Sequence, residues 1–285
     1  MSPPADDRPL PVDHYENFPV ASWLCPPQLR RPIAAIYWFA RTADDIADEG
    51  SATVQERLQD LHAYRNDLQA CLAGNTASAR WPGVFGPLGA AARDFQLPAA
   101  PLHHLLDAFE QDVRKTHAGA GYADRAELLD YCSRSANPVG RLLLHLYGIA
   151  QPQALAQSDA ICSALQLINF WQDLSVDVPR GRYYLPAQDC VRHGVAPDPP
   201  QAWAAHPAAP ALVAELCAWA GELMHAGAPL VHRLPGRGGW ELRLVVQGGL
   251  RILRRIEGLG FRTLQQRPRL GASDFAPMLW HAARM

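Results

Sequence analysis

Apolar residues recur along most of this chain with the three- and four-residue spacing of helices, and alternating runs of Val, Ile and Thr are almost absent. A helix interior tolerates proline poorly, so the intervals between the 25 prolines mark candidate helices. The pattern therefore predicts an all-α fold. Helices are expected in the intervals 33–81, 102–137, 153–178, 211–228 and 236–267.

Two stretches rich in Pro, Gly and Ala, 74–101 and 194–210, are predicted to be loops. Neither is long or polar enough to separate domains. We therefore expect a single domain over residues 1–285, in which 1–11 form a flexible tail.

The helix predicted at 33–49 has one apolar face and, roughly opposite, one acidic face. The apolar stripe consists of Ile36, Phe39, Ala43 and Ile46. The opposite stripe consists of Tyr37, Arg41, Asp44 and Asp48. Carboxylates crowded onto one helix face repel one another, and a bound cation would relieve that repulsion.

A second acidic line runs along the helix predicted at 153–178. Asn169, Asp173 and Asp177 follow one another at four-residue intervals, between apolar stripes that predict burial on both sides. Buried carboxylates need cations or hydrogen-bond donors, and oxygen ligands suit Mg²⁺, which also takes oxygens from a substrate phosphate. Two such lines predict two carboxylate walls with Mg²⁺ between them, able to hold a diphosphate and stabilise it as it leaves.

Charge and cysteine content narrow the classes of function. The chain has 26 basic and 28 acidic residues, a balance that argues against nucleic-acid binding and against the Lys/Arg clusters of an anionic-membrane binder. Six scattered cysteines without a C-x-x-C pair indicate reduced, structural thiols. The sequence lacks a long apolar run and the layout of a signal peptide, so we expect a cytoplasmic protein.

Four sequence blocks together resemble the squalene and phytoene synthases, which join prenyl chains head to head. The blocks are Y-x-x-x-R-x-x-D-D-x-x-D at 37–48, Y-C-S-R-S-A-N-P-V-G at 131–140, N-x-x-x-D-x-x-x-D followed by P-R-G-R-Y-Y-L-P at 169–186, and I-E-G-L-G-F at 256–261. Within that family, H-Y-E-N-F-P-V-A-S at 14–22 and N-P-V-G-R at 137–141 resemble the hydroxysqualene synthases of hopanoid biosynthesis. The resemblance implies an isoprenoid-synthase helical bundle around a central cavity.

The resemblance also implies roles for individual residues. The Mg²⁺ ligands would be Asp44, Asp48, Asp173 and Asp177. The diphosphate would be bound by Tyr37, Arg41, Asn169 and Arg182. By the same resemblance Tyr184 would lie near the diphosphate and Tyr131 would line the prenyl cavity; as our own candidates for placing a water against the carbocation we take Tyr131, Asn137 and Tyr184. A helix break at Asn137-Pro138 would turn free backbone carbonyls towards that cation.

The reaction implied is Mg²⁺-dependent carbon–oxygen lysis of presqualene diphosphate, with water giving hydroxysqualene. No G-x-G-x-x-G follows a predicted strand, so no hydride donor is indicated and water is the expected terminator. Departures from the family pattern at Tyr15, Asn17, Trp38 and Leu250 argue against the first half-reaction, condensation of two farnesyl diphosphates. Because the substrate is amphipathic, transient contact with the inner membrane and with pathway enzymes is expected.

Three alternatives remain open. A squalene or phytoene synthase performing both half-reactions would share every metal ligand. A terpene cyclase would also use acidic helices, although its second motif usually mixes Asn, Ser and Glu. A respiratory-complex assembly factor of the same fold would be no enzyme, and such proteins have degraded aspartate pairs, whereas all four aspartates are present here.

Overall fold

A computed structural model describes residues 25–198 and 200–285, and within these ranges the regular structure is helical, as predicted. The predicted tail at 1–11 and the motif at 14–22 lie outside the described residues. In chain order the α-helices are Pro27–Asp48 (α1), Val54–Leu72 (α2), Pro82–Phe95 (α3), Ala99–Ala118 (α4), Arg125–Ser135 (α5), Asn137–Leu146 (α6), Pro152–Asp177 (α7), Ala187–Arg192 (α8), Ala209–Gly227 (α9), Gly236–Gly258 (α10) and Ala272–Ala283 (α11).

Proline marks the helix starts because its missing N–H is unsatisfied there in any case. Pro27, Pro138 and Pro152 lie in the first turns of α1, α6 and α7. Each proline-free interval accordingly contains the helices predicted for it.

The predicted loop at 74–101 is wrong, because α3 occupies half of it and α4 begins at Ala99. Pro82 begins this helix, and Pro87 is tolerated within it. The buried side chains of Val84, Phe85 and Leu88 join the core packed around α1. This apolar face stabilises a helix that the composition alone disfavours.

Apolar side chains pack in two clusters. One lies among α1–α4 and includes Phe39 and Tyr64, and the other lies among α5, α7, α9 and α10 and includes Trp171. Helix α6 separates them, with Leu142 in the first cluster and Leu144 in the second. That a single domain extends over 1–285 stays a prediction.

The six cysteines are buried free thiols, as predicted. Burial raises the pKa of Cys132, Cys162 and Cys217 to about 12, so these thiols stay protonated at neutral pH. They act as small core side chains.

Gly227 lies where α9 packs closely on α7, the most extensively packed pair of helices. A Cβ there would lie 2.6 Å from the Gln157 carbonyl oxygen and 2.5 Å from Ile161 Cγ1. We expect Gly227→Ala to lower the free energy of unfolding by about 2–3 kcal/mol, measured by urea denaturation, because backbone atoms of α7 would have to move.

Gly221→Ala on the same helix is the matched control. Its nearest neighbour would be Leu253 Cδ1 at 3.6 Å, an ordinary contact, so the better helix propensity of alanine should leave stability unchanged or higher by up to about 1 kcal/mol. Equal stability of the two variants would show that the α7–α9 contact is not as close as described.

Candidate active site

The two acidic lines meet at Arg182, which follows α7 in sequence. Its Nη2 contacts Asp48 on α1, and its Nη1 lies 3.8 Å from Asp177 Oδ1. Gly181, with φ of +78°, makes the turn, and the Arg182 amide donates to the Asp177 carbonyl at 3.0 Å. This left-handed conformation suits glycine and returns the arginine towards α1.

Asp173 is held from two sides. Asn169 Nδ2 donates to its Oδ2 at 3.0 Å, one helical turn away. Arg267, from the connection between α10 and α11, donates from Nε to Oδ1 at 2.5 Å and from Nη2 to Oδ2 at 3.0 Å. This two-point arginine contact is a strong, oriented interaction.

Asp177 is the buried carboxylate of the α7 wall. Burial, together with the charge of Asp173, raises the pKa of its carboxyl to about 7, while Arg180 and Arg267 oppose the shift. Loss of hydration is thus the main cost of its negative charge, and a bound dication would offset that cost.

The first acidic line is more open. Arg41 Nη2 lies 2.7 Å from Asp45 Oδ1, and its Nη1 lies 3.5 Å from Asp44 Oδ2. Both carboxylates are 45% exposed, so these pairs contribute little to stability. Asp44 and Asp45 can therefore change partners at little cost.

An aromatic cluster lies beside the carboxylates. The Tyr184 ring stacks on Phe170, with centroids 3.7 Å apart and planes 9° apart. The Tyr131 hydroxyl donates to Asp112 Oδ2 at 2.7 Å. Desolvation raises the pKa of the Asp112 carboxyl to about 7, and the nearby charge of Asp44 also raises it, although the Tyr131 hydrogen bond opposes this.

The helix break predicted at Asn137-Pro138 is confirmed, because α5 ends at Ser135 and α6 begins at Asn137. The Asn137 side chain, however, lies in the interface with α7, where its Oδ1 accepts a hydrogen bond from Ser163 Oγ at 2.9 Å. Its interaction with a reacting water stays a prediction.

A cavity of about 210 Å³ opens beside this polar end, between α1, α7 and the junction of α5 with α6. Tyr37 and Asn169 lie in its wall, which is otherwise mainly apolar. A second cavity, of about 80 Å³, extends towards α10 and shares Ile33, Leu143 and Cys162 with the first. The predicted central cavity thus connects to a polar end at Tyr37 and Asn169.

Two residues near the acidic walls were missed by sequence reasoning. Arg267 is the last residue of the predicted interval 236–267, in Q-Q-R-P-R, where no spacing relates it to Asp173. Asp112 on α4 has no acidic residue three or four positions away, so it forms no acidic line of the kind seen on α1 and α7. Only the packing of distant segments brings either side chain to the site.

The donor chemistry at this site fits Mg²⁺. Within residues 25–198 and 200–285, no group of three or more His, Cys, Asp and Glu side chains converges as in a preformed metal site. The facing side chains are carboxylates with arginines between them, and hard oxygen donors suit Mg²⁺. The residues that would hold the ion are Asp44, Asp48, Asp173 and Asp177.

The squalene/phytoene synthase family model matches residues 12–274. The chain belongs to this family. Its acidic lines on α1 and α7 are thus features of a squalene/phytoene synthase family member, and the resemblance drawn from the four sequence blocks is confirmed.

Curated relatives include hydroxysqualene synthases. The enzyme of Rhodopseudomonas palustris is 39% identical over 172 residues, and that of Zymomonas mobilis is 36% identical over 179 residues. Each match covers 60% of this chain and 55% of the relative, so the chain spans about half the length of these proteins. Presqualene diphosphate synthase of Rhodopseudomonas palustris is 29% identical, with 93% of this chain and 92% of that protein covered.

Solved structures agree on the fold. A squalene synthase from Alicyclobacillus acidocaldarius is 33% identical, with a TM-score of 0.78, covering 87% of this chain and 90% of that one. A dehydrosqualene synthase in complex with ligand has a TM-score of 0.80 at 20% identity, covering 93% of this chain and 89% of that one. The all-α isoprenoid-synthase architecture predicted for this chain is confirmed.

Proposed function

We propose that this protein is a hydroxysqualene synthase, which converts presqualene diphosphate and water to hydroxysqualene and diphosphate. The family and the relatives indicate an enzyme that acts on prenyl diphosphates. The observation that carries the proposal is the junction at Tyr37 and Asn169, where the apolar cavity meets the charged end of the site. An amphipathic prenyl diphosphate matches both regions, because its prenyl chain suits the apolar cavity and its diphosphate suits the charged end.

At the charged end, Arg41, Arg182 and Arg267 offer guanidinium groups to diphosphate oxygens. Mg²⁺, when bound by the four aspartates, supplies further neutralisation of the charge that the leaving diphosphate acquires. The bond between the substrate carbon and the diphosphate oxygen breaks, and its electron pair leaves with the oxygen. The arginines hold the anion away from the cation that remains.

At the apolar end, the cavity walls exclude bulk water while the cyclopropylcarbinyl cation rearranges. The faces of Phe170 and Tyr184 offer π electrons to positive charge. The Tyr131 hydroxyl donates a hydrogen bond to Asp112, so the lone pairs of its oxygen remain able to accept a hydrogen bond from water. Tyr131, Tyr184 and Asn137 remain our proposal for placing the water that adds to the cation. The new carbon–oxygen bond releases one proton from that water, which the departed diphosphate or solvent accepts.

Condensation of two farnesyl diphosphates is the second candidate activity. It is supported by the presqualene diphosphate synthase of Rhodopseudomonas palustris, whose similarity extends over 92% of its length. Both reactions begin with loss of diphosphate and would use the same charged end. A squalene or phytoene synthase differs from our proposal in performing this step too.

The test is to incubate the purified protein with Mg²⁺ and either presqualene diphosphate or farnesyl diphosphate, with and without NADPH, and to identify products by mass spectrometry. We expect hydroxysqualene from presqualene diphosphate in both cases and no product from farnesyl diphosphate. Hydrocarbon or presqualene diphosphate formed from farnesyl diphosphate alone would assign the condensing activity instead.

We also propose that the protein works in the cytoplasm, with transient contact to the inner membrane and to pathway enzymes. The support for membrane contact is chemical, because both substrate and product partition into lipid. Such contact requires a surface that binds a bilayer without crossing it.

A further inference from the structure

Helix α11 exposes three large apolar side chains although it packs against α10. Its polar Asp274 is fully buried against α10, where it accepts hydrogen bonds from Arg251 and Arg255. The outward face instead carries Phe275, Leu279 and Trp280, which are 51–57% exposed. A surface helix normally turns its apolar stripe inward, so this exposed patch marks a contact surface.

The patch extends beyond α11. Arg243 Nη1 donates to the carbonyl of Ala282 at 3.4 Å, and its guanidinium lies over the Trp240 ring, whose side chain is 45% exposed. Arg284 lies 3.9 Å from the centroid of Trp280. Each of these two exposed tryptophans therefore has an arginine against its ring, one pair on α10 and one at the end of α11.

The charge of the C-terminal segment indicates what kind of surface would bind to this exposed patch. Residues 233–285 contain ten arginines, no lysine and three acidic residues, a formal charge of +7, whereas residues 1–232 carry −9. The buried carboxylate of Asp274, one of the three acids, is paired with Arg251 and Arg255. The balanced total of the whole chain hides this asymmetry, and the expectation that no basic cluster exists is therefore wrong for the C-terminal segment.

We propose that the outward face of α11, with Trp240, Arg254, Arg269 and Arg284, docks on an anionic lipid surface. Arg254 Nη1 lies 3.4 Å from His281 Nε2 of α11, and the exposed Arg269 lies three residues before the start of that helix. Aromatic and aliphatic side chains bordered by arginines are typical of helices that lie in the bilayer interface. Exposed arginines beside them add attraction to anionic headgroups. At 12 residues α11 is too short to span a bilayer, and no helix in the described ranges has the length and apolarity for a crossing.

The position of this surface deepens the proposed function. Helix α10 also forms a wall of the smaller apolar cavity through Leu242 and Val245, and the connection to α11 brings Arg267 to Asp173. Docking would place the cavity and the charged end near the lipid that dissolves the substrate. The expected gain in turnover from this placement rests on the proposed function. Lipid binding itself does not, because it needs no catalysis.

The test is flotation of the full-length protein, without substrate, on vesicles of phosphatidylcholine alone or mixed with phosphatidylglycerol. We expect binding to the mixed vesicles, weakened by salt, and about tenfold weaker binding by the triple variant Phe275→Ser, Leu279→Ser, Trp280→Ser. Arg269→Gln with Arg284→Gln should cause a similar loss. Val191→Ser, at an apolar side chain 65% exposed on α8, is the matched control and should bind like the wild type.

Equal binding of the triple variant and the wild type would overturn the proposal, as would failure of the wild type to bind mixed vesicles. Equal binding to both vesicle types would overturn its electrostatic part. Analytical ultracentrifugation tests a second copy of the chain as occupant: a dimer that the triple variant abolishes would also overturn lipid docking. Thermal unfolding identifies variants with altered folding. Vesicle binding and turnover are separate measurements, so failure of one does not imply failure of the other.

Discussion

Asp173→Asn is expected to lower turnover of presqualene diphosphate by about three orders of magnitude, while the protein stays folded. The carboxylate is the point at which Asn169 and Arg267 converge, and it belongs to the wall whose negative charge raises the pKa of Asp177. Asparagine has nearly the same shape but no charge, so the variant removes a predicted metal ligand and relieves its repulsion with Asp177.

Asp159→Asn on the same helix is the matched control for the loss of an arginine partner. Arg141 contacts Asp159 at two points, 3.0 and 2.6 Å, much as Arg267 contacts Asp173, and the two aspartates are 23% and 16% exposed. Steady-state kinetics should separate the variants, whereas their thermal unfolding should be similar. Wild-type turnover by Asp173→Asn would exclude the acidic wall from catalysis. Full activity in a chelator would exclude the metal.

Filling the larger cavity is expected to lower kcat/KM by about 100-fold without affecting the acidic walls. Val139 on α6 lines this cavity at some distance in sequence from every predicted metal ligand. An indole in place of its isopropyl group, in Val139→Trp, would occupy volume needed by a prenyl chain. Displacement of the reacting carbon by about 1 Å is enough for such a loss.

Two further variants make this prediction specific. Ala40→Phe fills the same cavity from α1 and should have the same effect, whereas Val139→Ala enlarges the cavity and should remain active. Thermal unfolding is measured for all three, because overpacking costs about 1–3 kcal/mol. If the two filled variants fold and react at the wild-type rate, the prenyl chain does not lie in this cavity.

Much of the fold could be predicted because helices are local structures. The spacing of apolar residues and prolines predicted α1 and α7 and the lines of carboxylates along them, since positions one turn apart share a face. The same rule failed at α3, where Pro82 and Pro87 suggested a loop. Burial of Phe85 and Leu88 outweighs the poor helix propensity of that segment.

The basic character of residues 233–285 was present in the sequence but concealed by the charge of the whole chain. Counting charges over that segment alone would have revealed it. What the count could not give is the direction of the side chains on α11. The spacing of apolar residues normally predicts burial of the large apolar side chains, but here Asp274 and Ala282 are buried while Phe275, Leu279 and Trp280 are exposed.

The sequence by itself determined the all-α class, the family and the two acidic lines, because each depends on residues close together along the chain. Tertiary structure decided the partners of those lines: Arg267 reaches Asp173 across 94 positions, and Arg182 bridges Asp48 and Asp177. It also placed Asp112 within hydrogen-bond distance of the Tyr131 hydroxyl. On α11 it left Phe275, Leu279 and Trp280 exposed. Such contacts depend on how whole helices pack, which the spacing of residues within one helix does not specify.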